Sequence, residues 1–238
     1  MRLFVFLSAM LLARASGALE TQILGFNWKA DRTESGGPRS LKSVIPNLPT
    51  DQIDASVLYK YTDGTRLYLF HGKTVSRLDW ASKKMDAGFP AAIGSTFKGV
   101  FADGVDAVFA HPYQGRPKFY FFKGAQYSRF DVLNTSVDQG YPKLIKGLWN
   151  GVFEKDIDDT LVAEEGIVYF FKGGQYIRYD FNLDETSRGY PKAINEETWN
   201  GVWPRDLDAA FYDRDAGQAW FIKHRGLTET SLEEDENV

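Results

Sequence analysis

The chain has 238 residues and a formal net charge of −4, and 43% of its residues are hydrophobic. This composition is typical of a globular protein with a substantial core, and a negative charge without a Lys/Arg cluster argues against a nucleic-acid-binding protein. Cysteine is absent, so the fold has to close through packing and hydrogen bonds rather than disulfides.

The N-terminal residues are predicted to be a targeting segment. Arg2 gives a short positive start, residues 3–12 are apolar, and Ala15, Ser16 and Gly17 are small residues suited to a signal peptidase. A bilayer span needs about 20 apolar residues, which is more than this run offers. The sequence therefore predicts a signal peptide over residues 1–17, a secreted protein and no membrane span.

A hairpin-like segment occurs three times, over residues 67–79, 119–131 and 168–180. The third copy reads Val-Tyr-Phe-Phe-Lys-Gly-Gly-Gln-Tyr-Ile-Arg-Tyr-Asp, so two runs rich in aromatic residues flank a turn that contains glycine. Glycine accepts the positive φ that a tight hairpin requires. The three segments are therefore predicted to be β-hairpins.

Each hairpin belongs to a longer unit that starts with an Asp-Ala-type strand and ends in a Gly-aromatic-Pro corner. The starting aspartates, separated by 52, 52 and 50 residues, are Asp54, Asp106, Asp158 and Asp208. A constant period of this size indicates repeats of one supersecondary unit. Four short strands in about 50 residues are typical of a propeller blade, so the predicted fold is an all-β, four-bladed β-propeller.

Three blades are complete in the sequence, over residues 53–101, 105–153 and 157–203. The fourth has its first two strands near the C-terminus, and residues 23–38 align without gaps on residues 176–191. We therefore expect residues 23–45 to form the outer half of the fourth blade, so that the two chain ends pair and leave no open sheet edge. The alternative is an N-terminal extension, with residues 227–232 supplying the third strand.

The prolines of the corners are predicted to lie in the first turn of short helices, where a missing N–H is tolerated. The propeller is predicted to span residues 18–226. Residues 227–238, which include a run of four acidic residues, are predicted to be a disordered tail.

The order of the motifs resembles the hemopexin repeat: an Asp-Ala strand, a Phe-Phe-Lys-Gly turn, a Tyr-x-Arg-Tyr-Asp strand and a Gly-Tyr-Pro-Lys corner. The resemblance covers about residues 22–226, and the signatures of WD40 and kelch propellers do not recur. It implies a four-bladed propeller that serves as a binding scaffold, similar to domains in the haem carrier hemopexin, matrix metalloproteinases, vitronectin and seed albumins. The ligands of these proteins differ, so the fold alone does not give a function.

The four repeated aspartates are the candidate site. The first strand of every blade lines the propeller axis, so Asp54, Asp106, Asp158 and Asp208 are expected to meet at one mouth of the channel, where their charges repel. A calcium or sodium ion would offset this repulsion, because both prefer oxygen ligands. The resemblance implies an ion held mainly by main-chain carbonyls of these four residues. The alternative is that each carboxylate accepts loop N–H groups without an ion.

Three arginines also recur at one position of the repeat, two residues before an aspartate: Arg77, Arg129 and Arg178. They are interpreted as inter-strand structural contacts. The three histidines, His71, His111 and His224, lie in hairpin turns or loops and are interpreted as solvated side chains, although haem binding through a histidine stays a possible alternative.

Motifs of catalytic sites are absent: the sequence has no His-Glu-x-x-His, Gly-x-Ser-x-Gly, Gly-x-Gly-x-x-Gly or P-loop. We therefore predict a secreted binding or recognition module, not an enzyme, whose partner is an extracellular protein, a glycan or a small ligand. Two alternatives are a carrier of haem or a polyamine, and a lectin-like protein that uses exposed Trp28 and Trp80. Asn134 begins the Asn-Thr-Ser glycosylation sequon.

Overall fold

The structure is a computed structural model, and it describes residues 20–113 and 115–224. The predicted signal peptide and the predicted acidic tail lie outside these residues. The regular secondary structure of the described chain is almost entirely β-strand, arranged in four sheets. None of its helices has the length and apolar composition of a membrane span.

The chain enters through the outer part of the fourth blade and then completes the first blade. The outer elements of the fourth blade are β1 (Thr21–Asn27), β2 (Arg32–Thr33), β3 (Arg39–Ser40) and α1 (Leu41–Val44). The first blade consists of β4 (Ala55–Tyr61), β5 (Gly64–His71), β6 (Thr74–Asp79), β7 (Ala91–Ala92) and α2 (Ile93–Thr96).

The second and third blades have the same plan, and the last two strands return to the fourth blade. The second blade consists of β8 (Ala107–Ala110), β9 (Lys118–Lys123), β10 (Gln126–Asp131), β11 (Ser136–Val137) and β12 (Lys143–Leu144). The third consists of β13 (Asp159–Leu161), β14 (Ile167–Lys172), β15 (Gln175–Asp180), β16 (Glu185–Thr186) and β17 (Lys192–Ala193). The inner strands of the fourth are β18 (Ala209–Asp213) and β19 (Gln218–His224).

The fourth blade is shared between the two ends of the described chain. Its strand order is β18-β19-β1-β2, and β1 pairs antiparallel with β19 over seven residues, from Thr21↔His224 to Asn27↔Gln218. The prediction that residues 23–45 complete this blade is confirmed. No disulfide is available, so backbone hydrogen bonds between sequence-distant strands close the ring.

The core is divided into four hydrophobic clusters, one between each pair of neighbouring blades. The second strand of a blade contributes to the clusters on both sides, which explains runs such as Phe-Tyr-Phe-Phe in β9 in which successive side chains are all buried. Side chains alternate across a strand, so a strand buried on both faces reads as a continuous apolar run. The predicted all-β, four-bladed propeller is confirmed.

The prediction for the corner prolines is wrong in detail. Phe89–Pro90, Tyr141–Pro142 and Tyr190–Pro191 are cis peptide bonds, and the proline does not start a helix. In the first blade the two-residue strand β7 follows the proline, and α2 begins only at Ile93. The corner first returns the chain to the sheet edge, because Ala91 and Ala92 pair with β6.

Candidate functional site

The four repeated aspartates lie at equivalent positions, each directly before or at the start of the innermost strand of its blade. Their backbone N–H groups donate to carbonyls of the neighbouring strand: Asp54 to Phe70 (2.8 Å), Asp106 to Phe122 (2.8 Å), Asp158 to Phe171 (2.9 Å) and Asp208 to Ile222 (3.0 Å). The inner strand therefore begins with the same hydrogen bond in every blade. This repetition places the four aspartates at one level of the propeller.

Each of these carboxylates accepts a hydrogen bond from a backbone N–H at the end of the second strand of its own blade. The N–H donors are Gly72 to Asp54 (2.6 Å), Gly124 to Asp106 (2.6 Å), Gly173 to Asp158 (2.5 Å) and His224 to Asp208. Glycine at the first three turns has a φ of 53–55°, which glycine adopts without a steric cost. The carboxylates thus have a local structural role, as one of the two interpretations of the sequence expected.

An acidic cavity of about 510 Å³ lies at this mouth of the channel. Seven aspartates line it: Asp54, Asp103, Asp106, Asp156, Asp158, Asp206 and Asp208. Lys123 also lines the cavity, and its Nζ lies 3.4 Å from Asp106 Oδ1. The cavity therefore carries a strongly negative field, which favours cations.

Two of the four aspartates have raised carboxyl pKa values, because they are buried near other carboxylates. Burial raises the pKa of Asp158, and Asp206 and Asp106 raise it further, against the N–H of Gly173. Burial likewise raises the pKa of Asp208, with Asp54 adding to the shift and the N–H of His224 opposing it. A raised carboxyl pKa means that the ionised form opposes folding at neutral pH.

The donor set suits a hard cation in its chemistry, because the charged groups around the cavity are oxygen donors with a single amine among them. Within the described residues, no three His, Asp or Glu side chains are arranged as a metal-chelating group. The carboxylates around the cavity contribute negative charge.

A closed layer lies directly below the aspartates. It is formed by Ala55, Ala107, Asp159 and Ala209, each of which has a relative exposure of 0%. Below this layer is a cavity of only about 40 Å³, and a cavity of about 380 Å³ lies at the far ends of the inner strands. The acidic cavity is thus separated from the rest of the channel. Sequence analysis did not single out Asp159, although its departure from the repeated alanine is visible in the sequence.

The repeated arginines contact neighbouring strands, but their partner is not the aspartate two residues on. Arg77 Nε donates to Asp86 Oδ2 (2.6 Å) and Arg129 Nε to Asp138 Oδ2 (2.5 Å), in both cases nine residues further. In the third blade Ser187 stands at this position and accepts from Arg178 Nη1 at 3.0 Å. These contacts hold the outer strand against the sheet.

The three histidines are engaged with neighbouring groups. His71 contacts Thr74 Oγ1 through Nδ1 (2.7 Å) and Ser76 Oγ through Nε2 (3.1 Å), His224 Nδ1 contacts Thr21 Oγ1 (2.9 Å), and His111 Nδ1 accepts the N–H of Tyr113 (3.2 Å). Burial lowers the pKa of His71 and of His111. All three histidines are half-buried rather than fully solvated.

The two tryptophans expected on the surface are packed instead. Trp80 is only 7% exposed, and its Nε1 donates to Asp213 Oδ2 at 2.7 Å. Trp28 packs in edge contacts against Tyr169, Trp199 and Tyr212, with ring centroids 5.6–5.8 Å apart. Both rings fill the clusters between blades, so the expectation of exposed Trp28 and Trp80 is wrong.

Comparison with known proteins identifies the repeat. The model of the Hemopexin family matches residues 105–152 and 157–202, which correspond to the second and third blades. The second and third blades therefore match the hemopexin repeat. The predicted resemblance is confirmed, and the period of about 50 residues extends the same repeat to the first and fourth blades.

The chain spans less than half of the length of the curated relatives that it matches. The macrophage metalloelastase of Oryctolagus cuniculus is 30% identical over 133 residues, which are 55% of this chain but 26% of that enzyme. The match concerns the hemopexin part of the enzyme. This chain therefore spans about a quarter of the length of that relative.

Two solved structures share the fold. A seed albumin from Lathyrus sativus superposes with a TM-score of 0.61 at 23% identity, covering 72% of this chain and 82% of the albumin. A plant lectin with two metal binding sites from Cicer arietinum has a TM-score of 0.60 at 23% identity, with the same coverage of both chains. At this identity the likeness concerns the fold.

Proposed function

We propose that this protein is a secreted binding module, not an enzyme, whose acidic channel mouth holds a structural calcium or sodium ion. The observation that carries the proposal is the convergence of one aspartate from each blade, Asp54, Asp106, Asp158 and Asp208, on a single acidic cavity. The main-chain carbonyls of these residues are the expected ligands. Secretion rests on the signal peptide predicted from residues 1–17.

The raised pKa values of Asp158 and Asp208 support the cation. Without a counter-charge, their ionised carboxylates oppose folding at neutral pH. A bound cation would attract these carboxylates and so offset the opposing effect. A plant lectin of the same fold, from Cicer arietinum, has two metal binding sites. The ion would fix the ends of the four inner strands and so have a structural role.

The test is a calcium titration of the secreted protein, followed by thermal unfolding in a buffer free of calcium and sodium. We compare the wild type with an Asp158→Asn, Asp208→Asn double variant, because asparagine keeps an acceptor for the turn N–H groups. The double variant should be at least as stable as the wild type without calcium, but bind calcium roughly tenfold more weakly, a loss of about 1.4 kcal/mol.

The matched control is Glu185→Gln, which removes an exposed carboxylate on β16 outside the cavity. It should leave the calcium affinity unchanged. A wild-type melting temperature that responds to neither calcium nor sodium would contradict the structural ion, as would an equal calcium response in the double variant.

A second candidate function is a carrier of small organic cations such as polyamines. The observation that favours it is the size of the acidic cavity, about 510 Å³, which is within the range of small-molecule sites. Calorimetry with spermidine is the test. Binding that calcium displaces and that weakens in the double variant would support a carrier, whereas absence of binding heat and of any shift in melting temperature would exclude it.

We also propose a glycan on Asn134. The residue is exposed, and its Nδ2 donates to Asp131 Oδ2 at 3.0 Å in the turn after β10. A secreted chain exposes such a sequon to the glycosylation machinery. Expression in eukaryotic cells should give a secreted protein whose electrophoretic mass decreases in the Asn134→Gln variant; equal mobility of the two proteins would contradict the modification.

A further inference from the structure

Asp159 is the only member of the closed axial layer that differs from alanine. The layer contains one residue from the same position of each blade, namely Ala55, Ala107, Asp159 and Ala209, and all four have 0% relative exposure. A carboxylate therefore lies in the most buried part of the propeller, where an unpaired charge is very unfavourable. It needs hydrogen-bond donors from its surroundings.

These donors are backbone N–H groups next to the layer. Asp159 Oδ2 accepts a hydrogen bond from the N–H of Ala210, which belongs to the neighbouring fourth blade. Burial raises the pKa of Asp159 well above its ordinary value, and the N–H groups of Ala210, Thr160, Val108 and Ser56 oppose this rise. Each of these four residues follows the layer residue of its own blade, so every blade directs one N–H toward the same carboxylate.

Further polar groups surround the same point. Ser56 Oγ donates to the carbonyl of Ala210 at 3.1 Å, which links the first and fourth blades at this level. Among the described residues, neither Asp159 Oδ1 nor Thr160 Oγ1 completes a hydrogen bond of ordinary geometry. The N–H groups of Ser56, Val108 and Thr160 thus stabilise the carboxylate from a distance, whereas Ala210 contacts it directly.

We infer that the Asp159 carboxylate is a built-in anion on the propeller axis. It occupies an anion site in which the N–H of Ala210 donates directly and the N–H groups of Ser56, Val108 and Thr160 lie at the equivalent positions of the other three blades. Backbone N–H groups that converge on one point bind anions, and charge-assisted hydrogen bonds are stronger than neutral ones. Because the donors come from four blades, one side chain ties the whole ring together.

The anion site also determines where ligands bind. Asp159 and the three alanines separate the acidic cavity above them from the small cavity below. A cation or polyamine that enters at the acidic mouth therefore stays on that side of the axial layer. This assignment does not depend on the proposed cation, because the Asp159 carboxylate is bound by amides of the chain itself.

The experiment removes the carboxylate and supplies a free one. Asp159→Ala gives the third blade the alanine that the other three blades have, so the variant is expected to fold. In HEPES buffer without small anions, its melting temperature should be several degrees lower than that of the wild type. Sodium formate, the smallest carboxylate, should restore it in a saturable way, because a ligand that binds only the folded state stabilises it.

The wild type should not respond to formate, because its own carboxylate fills the site. Sodium sulfate at equal ionic strength serves as the salt control, and its effect on both proteins should be equal. A melting temperature of Asp159→Ala that equals that of the wild type, or that is insensitive to formate beyond the salt control, would overturn the inference.

Two further variants separate an anion site from a merely polar position. Asp159→Asn keeps the shape of the side chain without its charge; it should lose stability and gain no formate response, and unchanged stability would overturn the inference. In the double variant Ala107→Asp, Asp159→Ala, the carboxylate comes from the second blade at the same level. This double variant should have a melting temperature close to that of the wild type. A melting temperature as low as that of Asp159→Ala would show that the N–H groups of the four blades are not equivalent.

Discussion

The second and fourth blades have the same arrangement of strands, but the chain connects those strands differently. In the second blade, β9 and β10 form a hairpin with a two-residue turn, and their six paired residues run from Gln126↔Lys123 to Asp131↔Lys118. In the fourth, β19 and β1 pair over seven residues although nearly 200 positions separate them in the sequence. The two blades do not differ in the hydrogen bonding of these strands. They differ in entropy, because the cost of closing a long loop has to be overcome before the β19–β1 contacts form.

Removal of the N-terminal contribution to the fourth blade should have the largest effect. Deletion of residues 20–40 removes β1, β2 and β3 and exposes the edge of β19, with Phe221 and Ile222 that are otherwise 0% exposed. We expect loss of cooperative thermal unfolding and of the near-ultraviolet circular dichroism that the packed aromatic rings produce. A truncated protein with the melting temperature of the full chain would show that three blades fold without closure.

Equivalent aromatic residues of the two blades allow a closer comparison. Phe26 in β1 and Phe130 in β10 occupy the same strand position and are 1% and 2% exposed. Phe26→Ala and Phe130→Ala should each cost about 3–5 kcal/mol of unfolding free energy. Because β19–β1 pairing is the longest-range contact, Phe26→Ala should mainly accelerate unfolding, whereas Phe130→Ala should also slow folding. Folding and unfolding rates can be measured by stopped-flow in urea. If the lost stability divides between the two rates in the same way in both variants, the fourth blade does not close late.

The shared blade could be predicted because its evidence is local. Hairpins show as alternating and aromatic runs around glycine, and the spacing of the repeats identifies the blade that lacks a contiguous copy. The short corner elements were less predictable, because two-residue strands such as β7 have no sequence period of their own. Their position is set by pairing with β6.

The site was predictable only where the repeat is regular. Four equivalent aspartates show in the sequence as a ring, since symmetry brings equivalent residues together. The partners of Arg77 and Arg129 were not visible, because they lie nine residues away, beyond the next turn of the chain. The sequence does not show whether a side chain that directly follows a strand faces the next blade, so the predicted exposure of Trp28 and Trp80 is wrong. Asp159 is informative for the opposite reason, because it replaces the alanine that the other three blades have at this position.

Electrostatics distinguishes the two blades at one paired position. At the open end of the β9–β10 hairpin, Lys118 lies opposite Asp131. The equivalent pair in the fourth blade is Gln218 and Asn27. Lys118 Nζ lies 2.8 Å from both Asp131 Oδ2 and Asp138 Oδ1. Hydrogen bonding by Lys118 lowers the pKa of Asp131 to about 2. The second blade is therefore stabilised by charges where the fourth is neutral.

Lys118→Met should remove about 1–2 kcal/mol of unfolding free energy at neutral pH, as expected for hydrogen bonds to charged groups. The folded pKa of Asp131 is below its unfolded value of about 3.9, so its contribution is complete above about pH 4 and is lost as the pH falls toward 2. The difference between variant and wild type should shrink over that interval. Lys98→Met, at an exposed position, is the control; a pH-independent difference for Lys118→Met would contradict the ion pair.

The smallest effect is expected from giving the fourth blade the charge that it lacks. Gln218 Nε2 is buried without a hydrogen-bond partner among the described residues. It lies with Glu34 Oε2 above Gly25, whose missing side chain leaves the space for both. Glu34 stands where the second blade has Asp138, seven residues after Asn27. The Gln218→Lys substitution therefore places an ammonium group near a carboxylate that forms an ion pair with Arg39 at 3.7 Å.

Gln218→Lys should stabilise the protein by about 0.2–1 kcal/mol, the range for partly exposed ion pairs, and the gain should decrease in 1 M salt, where the Debye length is about 3 Å. Gln218→Met, which has similar length and no charge, separates the charge from the packing. If the methionine variant is as stable as the lysine variant in urea unfolding, the charge contributes nothing. The two blades would then differ only in how the chain connects their strands.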